Sequence, residues 1–246
     1  MVLHETAGLF TGSRNGAITW WNVTDARLDP ALVAEGFSAM PMPARHLLKV
    51  DPDQPHAFID QLSRRQRRHL RRRLDAHARF ESKIAGPQTD WQALWNMYWE
   101  VARRHLEFNL FPLPRALFPA LAEDPAWEIV TLHLPVSEGG PADGHPVAFF
   151  AAHHHGEQYA ALVCGLDYDY VRTEGAYRHM LLEIALRAQA RGARTVHYGM
   201  EAAMEKVRLG CTVHPANAWM FARDTWQASQ LRHLAERLAL EGTSRG

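Results

Sequence analysis

The sequence predicts an α/β (α+β) fold in which a mixed, mostly antiparallel sheet is flanked by helices. Two observations lead to this prediction. Apolar residues recur at helical spacing in the first half of the chain, up to about residue 106. From residue 127 the pattern changes to that of strands, and strand and helix patterns then follow in the order ββ(β)αβαβ.

The composition is that of an ordinary globular protein and excludes several classes. Of the 246 residues, 47% are hydrophobic and 22% are charged, with 27 basic against 27 acidic side chains. A zero net charge argues against a protein whose whole surface binds nucleic acid or membrane, so any basic binding surface must be local. Two cysteines exclude a disulfide framework and a four-cysteine zinc site. The first residues lack the pattern of a secretory signal, and no apolar run reaches the roughly 18 residues of a membrane helix. We therefore expect a cytoplasmic protein.

The first 50 residues are weakly patterned. The pair WW and the stretch GFSAMPMPARHLLKV indicate short strands, and Pro41 and Pro43 limit the second of them to an edge or an irregular path. We divide the chain into a strand-rich segment, residues 1–55, and a main domain, residues 56–246. The segment either forms part of a first half-domain or lines the edge of the main sheet.

An arginine-rich helix is predicted next. Ser63 followed three residues later by Gln66 is typical of a capping box, so the helix begins at Arg64. Seven of the ten residues from Arg64 to Arg73 are arginine. This helix is either a solvated basic face or a binding surface for an anionic partner, namely acyl carrier protein, transfer RNA or nucleotide phosphates. The planar fork of arginine suits phosphate recognition. DNA reading is not favoured, because no recognition-helix motif accompanies it.

Two further helices precede residue 127. The segment TDWQALWNMYWEVARRHLEF carries a broad apolar stripe, and Thr89 or Asp90 can cap it. Its aromatic residues favour ordinary core packing over an acyl pocket. The segment PRALFPALAED is typical of a short helix with Pro114 near its start.

The second half supplies most of the strands. WEIVTLHLP is a predicted strand, and HPVAFFAAHHH and EQYAALVCGLD form a hairpin around Gly156. AYRHMLLEIALRAQARG is a helix closed by Gly192. A strand beginning at Thr195, a short helix ending at Gly210, the strand HPANAWMFAR and a final amphipathic helix complete the order.

Three of these segments resemble the FemAB-like branch of the GNAT acyltransferase superfamily. They are LSRRQRRHLRRRL, GLDYDYVRTEGAYRHMLLEIALRAQARG and HYGMEAAMEKVRLGC, the last of which contains a Lys-x-Arg-x-Gly-like sequence. The resemblance covers roughly residues 60–222 and implies a GNAT-like fold. It also implies transfer of an acyl group from an acyl-CoA or acyl carrier protein thioester to a small-molecule or peptide amine, by direct attack and without a metal. A catalytically degenerate module that binds an anionic partner, or an aminoacyl-tRNA-dependent transferase, are the alternatives.

The resemblance places the donor at the loop before the long helix, where backbone N–H groups and the helix dipole favour a phosphate. The GNAT signature there is Arg/Gln-x-x-Gly-x-Gly/Ala, and this chain has RTEGAY. Tyr177 departs from the signature, and Glu174 puts a negative charge where a pyrophosphate would lie. The implied donor-binding residues are Arg172, Gly175, Ala176 and Arg208.

The resemblance also implies catalytic candidates. Lys206 would reach the donor's phosphate or thioester oxygen and stabilise the developing oxyanion, although a cation near a helix end is also favourable without any function. The acceptor amine must lose a proton, which calls for a base. In the HHH run, His153 and His155 share one face of a strand while His154 points to the other, so the three cannot converge on one metal ion. The candidates are catalytic Lys206, Tyr198, Glu201 and His153, and acceptor-binding His105 and Asn109.

Overall fold

The computed structural model describes residues 17–23, 26–54, 56–104, 112–200, 202–222, 224, 226–230 and 232–233. The strands are β1 (Ala17–Val23), β2 (Ser38–Lys49), β3 (Glu81–Ile84), β4 (Trp127–His133), β5 (Ala148–His155), β6 (Gln158–Leu166), β7 (Thr195–His197) and β8 (Thr212–Ala222). The helices are α1 (Asp29–Ala34), α2 (Ala57–Asp60), α3 (Arg64–His77), α4 (Trp91–Ala102), α5 (Leu117–Glu123), α6 (Tyr168–Thr173), α7 (Ala176–Ala190) and α8 (Ala203–Leu209).

The chain divides into two compact units, a smaller one of residues 1–44 and 214–246 and a larger one of residues 45–213. In the smaller unit, β1 pairs antiparallel with β8, and Ala17 lies opposite Ala222. The rings of Phe37 and Phe221 pack with centroids 5.5 Å apart. Whether the N-terminal segment represents part of a half-domain stays a prediction.

The larger unit is built on a mixed sheet. Its strands lie in the order β2, β7, β6, β5, β4, β3, and each neighbouring pair is antiparallel except β6 with β7. The predicted fold class, a mostly antiparallel mixed sheet flanked by helices, is confirmed.

Each face of this sheet carries its own core. Because successive strand residues point to opposite faces, the adjacent Phe149 and Phe150 belong to different clusters. Phe150 packs in the cluster that contains residues of α3 and α7, such as Leu182, whereas Phe149 packs with Leu94 of α4 and Phe118 of α5. All five side chains are almost completely buried, so the helices cover both faces of the sheet.

The predicted helix starts are largely confirmed. Ser63 caps α3. Its side chain accepts a hydrogen bond from the backbone N–H of Gln66, and the Gln66 side chain accepts one from the backbone N–H of Ser63, which completes the capping box. Asp90, rather than Thr89, caps α4 by accepting from two backbone N–H groups. The third helix differs from the prediction, because α5 begins only at Leu117 and Pro114 lies in the preceding turn.

Some elements were not predicted from the sequence. Strand β3 pairs with β4 although all four of its residues are exposed, so it shows no alternating apolar pattern. Helix α6 has six residues and is capped by Asp167, and this stretch is too short for a helical period to stand out. Of the predicted last helix, residues 226–230 and 232–233 are described and are helical. Within the described residues, no helix combines the length and apolarity needed to span a membrane.

Candidate active site

The sheet of the larger unit opens between β6 and β7. These two strands pair only from Gln158 to Ala160 with Thr195 to His197, where β7 ends. Strand β6 continues for another six residues, to Leu166, along β5. The two strands are therefore no longer paired beyond His197, and the candidate residues Tyr198 and Lys206 lie on the chain that follows β7.

The loop after β7 is held by Lys206 of α8. The side chain of Lys206 is only 4% exposed, and its ammonium donates to the carbonyl oxygens of Tyr198, at 2.7 Å, and of Met200. Ala202, at the end of the same loop, has a φ of 45°, a left-handed conformation that is unfavourable for a residue with a β-carbon. Lys206 thus fixes a strained loop, and its predicted contact with the donor stays a prediction.

Tyr198 is also engaged with the backbone. Its hydroxyl donates to the carbonyl oxygen of Leu181 at 2.7 Å, and only 5% of the residue is exposed. Burial raises the pKa of Tyr198 well above its usual range. These contacts favour a structural role that ties the end of β7 to α7, and the catalytic role stays a prediction.

The predicted donor loop leads into α7 with a left-handed turn. Gly175 is the N-cap with a φ of 70°, which glycine adopts without strain, and no side chain caps the helix. Ala176, the first helical residue, is fully buried, whereas Arg172 is exposed on α6. Glu174, which departs from a phosphate-binding pattern, pairs with Arg79 at 3.2 Å. Part of its charge is thereby neutralised.

A basic cavity lies between α3 and the helices α7 and α8. It has a volume of about 1050 Å³, and we call it the arginine groove. It is lined by Arg64, Arg65, Gln66, Arg68, His69, Arg72, Arg178 and Arg208. The groove joins two sequence predictions, since it contains both the arginine helix and the predicted donor-binding Arg208. Arg178, in the first turn of α7, was not predicted as a site residue. Its position directly after the predicted donor loop could have indicated a role in binding the donor.

One carboxylate organises the inner wall of the arginine groove. Glu205 accepts from Nε and Nη2 of Arg178 at 2.9 and 3.0 Å, and from Arg208 at 2.8 Å. Although burial opposes it, these hydrogen bonds lower the pKa of Glu205. Burial and the neighbouring Arg73 and Arg72 lower the pKa of His69. The groove is thus a strongly cationic cavity that would attract an anion.

His153 lies on the other face of the sheet. Its ring meets the edge of Trp127, with centroids 5.2 Å apart, and lies nearly parallel to that of His155 at 6.5 Å. The shared face that the sequence predicted for these histidines is present in the structure. His153 is partly buried and lies in register with Ala160 of β6 and, beyond it, His197 of β7.

Three predicted residues fall outside the described part of the chain. They are Glu201, His105 and Asn109. Their roles stay predictions. Among the residues that the structure describes, no group of three His, Cys, Asp or Glu side chains is arranged to hold a metal ion.

A buried polar cluster between α3 and α7 was not predicted from the sequence. His77 of α3 lies 2.8 Å from Glu183 and 3.2 Å from His179, measured from Nε2 to Oε2 and between the Nδ1 atoms. Phe80 stacks on His179, with centroids 4.3 Å apart. The cluster therefore fastens α3 to α7, two of the helices that border the arginine groove. Helical spacing alone could not reveal it, because its members lie about a hundred residues apart.

Comparison with known proteins gives one family and several similar folds. Residues 61–207, more than half of the chain, match the model of the acetyltransferase (GNAT) domain family. The structure of FemX superposes with a TM-score of 0.67 at 11% identity, over 94% of this chain and 78% of FemX. A conserved protein of unknown function from Bacteroides thetaiotaomicron gives 0.58 at 16% identity, over 89% and 74%. L-PGS from Bacillus licheniformis gives 0.57 at 11% identity, over 95% of this chain and 76% of L-PGS. No curated protein matches the chain. At these identities the structural similarity shows a common fold.

Proposed function

This chain belongs to the GNAT family of acyltransferases, and we propose that it transfers an acyl group from a thioester donor to an amine. The similarity to FemX confirms the predicted FemAB-like form of the fold. The proposed donor is an acyl-CoA or an acyl carrier protein thioester, and the proposed acceptor is a small-molecule or peptide amine. We propose a cytoplasmic location.

The observation that carries the donor proposal is the arginine groove. Donors of both kinds bear phosphate, and arginine binds phosphate through its planar fork of N–H groups. Arg208 and Arg178 line the inner wall, and the exposed Arg68 and Arg72 of α3 line the outer wall. The groove lies beside the N-terminal turn of α7, where the helix dipole also favours an anion.

The proposed chemistry is direct attack of the amine on the thioester carbonyl. A C–N bond forms, the C–S bond breaks, the amine loses a proton and the departing thiolate gains one. His153 supplies a partly buried imidazole on the face of the sheet opposite α7 and is the proposed base. We assign Lys206 and Tyr198 to positioning of the loop after β7, because the ammonium of Lys206 and the hydroxyl of Tyr198 already donate hydrogen bonds to backbone carbonyl oxygens.

The same engagement of Lys206 and Tyr198 favours a second candidate. With both groups committed to backbone carbonyls, the chain would act as a degenerate module that binds an anionic partner through α3. The large number of arginines on this helix also suits a macromolecular carrier, either acyl carrier protein or an aminoacyl-tRNA. The absence of turnover with every donor, together with carrier binding that depends on α3, would establish this second candidate.

Calorimetric titration with coenzyme A, acetyl-CoA and a long-chain acyl-CoA tests the donor proposal. We expect a dissociation constant near 1 μM, roughly −8 kcal/mol. The double variant Arg68→Ala/Arg72→Ala should bind at least about tenfold more weakly, since two phosphate contacts are lost. Arg194→Ala is the matched control, because Arg194 is exposed and pairs with Asp51 and Asp53 away from the groove.

Each outcome of the titration decides between donors. A preference for one chain length would identify the acyl group. Equal binding by wild type and the double variant would refute the groove as the donor site. No binding of any of the three compounds would exclude a free coenzyme donor, and acyl carrier protein and aminoacyl-tRNA would then be titrated against the same two variants.

A further inference from the structure

Six of the eight residues that line the arginine groove are arginines, and they differ in whether a carboxylate offsets their charge. On the inner wall, Arg178 and Arg208 share the carboxylate of Glu205. The other four lie on α3, are exposed, and form no ion pair with a carboxylate among the residues that the structure describes; they are Arg64, Arg65, Arg68 and Arg72. Their charges are therefore available to a ligand in the groove.

The other side of α3 is more nearly neutral. A second cavity there, of about 460 Å³, has carboxylates as well as arginines in its wall, namely those of Asp60 and Asp75. Asp60 accepts from Arg71 at 2.8 Å through its carboxylate and from Arg67 at 2.9 Å through its backbone carbonyl. These two arginines line only the second cavity, and both are already engaged. Arg65, by contrast, lines only the arginine groove, so its position favours a ligand there.

The arginine groove is a cavity between two walls rather than one basic face. Arginines of α3 form one wall, and Arg178 of α7 and Arg208 of α8 form the other. The volume of about 1050 Å³ is at the upper end of the range for sites that enclose a small molecule, roughly 300–1,000 Å³. A ligand that fills this groove meets cations on both sides, so we expect it to carry anionic groups at two separate places.

Three of the arginines form one patch at the start of α3. The helix begins at Arg64, and residues three and four apart are neighbours on a helix surface, so Arg68 is next to both Arg64 and Arg65. The dipole at the N-terminal end of the helix also favours an anion. Such a patch suits a phosphate monoester, which presents three acceptor oxygens and roughly 1.5 to 2 negative charges at pH 7.

We propose that Arg64, Arg65 and Arg68 bind a phosphate monoester of the donor, which makes the donor a free coenzyme with a terminal phosphate in addition to its diphosphate. This rests on the proposed thioester donor. Coenzyme A has this chemistry, with a diphosphate and a 3′-phosphate that together carry about four negative charges at pH 7. The arm of a carrier protein has a single phosphodiester, which would leave most of the groove's cations without a partner. The three arginines are thus specificity-determining residues.

The test compares ligands that differ in one phosphate group. Wild type is titrated calorimetrically with coenzyme A, with dephospho-coenzyme A, which lacks only the 3′-phosphate, and with 4′-phosphopantetheine, the arm of a carrier protein. Titration at about 0.15 M salt screens charge effects that act over more than about 8 Å. We expect dephospho-coenzyme A to bind at least about tenfold more weakly than coenzyme A, because charge-assisted hydrogen bonds are lost. 4′-Phosphopantetheine should bind more weakly still.

Variants of Arg65 show whether this residue contacts the 3′-phosphate. Arg65→Gln should weaken coenzyme A about tenfold and leave dephospho-coenzyme A unchanged, so that the two ligands bind alike. Arg65→Lys keeps the charge without the planar fork and should recover part of the affinity. Arg71→Gln is the matched control on the same helix, because Arg71 pairs with Asp60 and does not line the groove. This control should bind both ligands as wild type does.

Three results would overturn the proposal. The first is equal affinity of wild type for coenzyme A and dephospho-coenzyme A. The second is a variant Arg65→Gln that weakens both ligands by the same factor, since that would show only the general positive potential of the groove. The third is an equal loss in Arg71→Gln. The comparison of ligands on wild type decides the question even if a variant folds poorly.

This proposal and the donor proposal fail in different ways. If coenzyme A and dephospho-coenzyme A bind wild type equally well, only the phosphate monoester site is refuted, and coenzyme A stays the proposed donor. If no coenzyme binds wild type but acyl carrier protein or aminoacyl-tRNA does, the free coenzyme donor is refuted, and the phosphate monoester site with it.

Discussion

Lowering the pH from 7 to 5 is expected to destabilise the protein by about 2 kcal/mol through His179. His179 is 7% exposed and faces His77, while Arg73 and Arg79 lie close enough to oppose a further positive charge. Burial and these neighbours lower the pKa of His179 from 6.5 to about 4. Glu183 is held by His77 rather than by His179, so no carboxylate offsets the effect directly.

The stability falls at low pH because the pKa of His179 is lower in the folded state than in the unfolded state. Because the folded-state pKa lies below the unfolded-state value, the unfolded chain takes up the proton first as the pH falls. The contribution to stability is complete above pH 6.5 and is lost progressively as the pH falls toward 4. At pH 5 nearly every unfolded chain is protonated at this residue and few folded chains are, which gives the figure of about 2 kcal/mol.

Urea unfolding of wild type and His179→Phe at pH 7 and pH 5 measures this contribution. Phenylalanine keeps a ring stacked on Phe80 but cannot titrate. The loss of stability between the two pH values should be about 2 kcal/mol smaller in the variant, whatever the substitution costs at pH 7. Between pH 7 and 8 the two proteins should respond alike, which serves as the control. An equal loss in both proteins between pH 7 and 5 would refute the reasoning.

Three substitutions test the assignments of individual side chains. Lys206→Met should lower the free energy of unfolding by about 1–3 kcal/mol, because one buried and one partly buried carbonyl lose their donor, and urea unfolding would show it. Tyr198→Phe should cost about 1 kcal/mol through the lost bond to Leu181 yet leave kcat unchanged, and a large fall in kcat would restore its catalytic role. Ser63→Ala should cost about 1 kcal/mol by removing the cap of α3, with a matching fall in the unfolding midpoint measured by circular dichroism.

Local patterns in the sequence account for much of the fold. The capping box at Ser63, the hairpin at Gly156 and the left-handed Gly192 after α7 each depend on residues within one or two turns. Such interactions can be predicted because their partners are close in the chain. The change from helical to strand period likewise predicted the mixed sheet. Strand β3 escaped prediction because its exposed residues have no buried face to impose a pattern.

The sequence by itself thus determined the order and type of most elements, although not β3 and α6, and it located the arginine helix and the loop before α7. Only the tertiary structure decided what these residues face. It joined Arg64 to Arg178 and Arg208 in one groove, and it turned Lys206 inward to backbone carbonyls. These outcomes depend on contacts between residues far apart in the chain. The free energy of such contacts comes from burial and from pairing of polar groups, and the spacing of residues along the chain does not predict either of them.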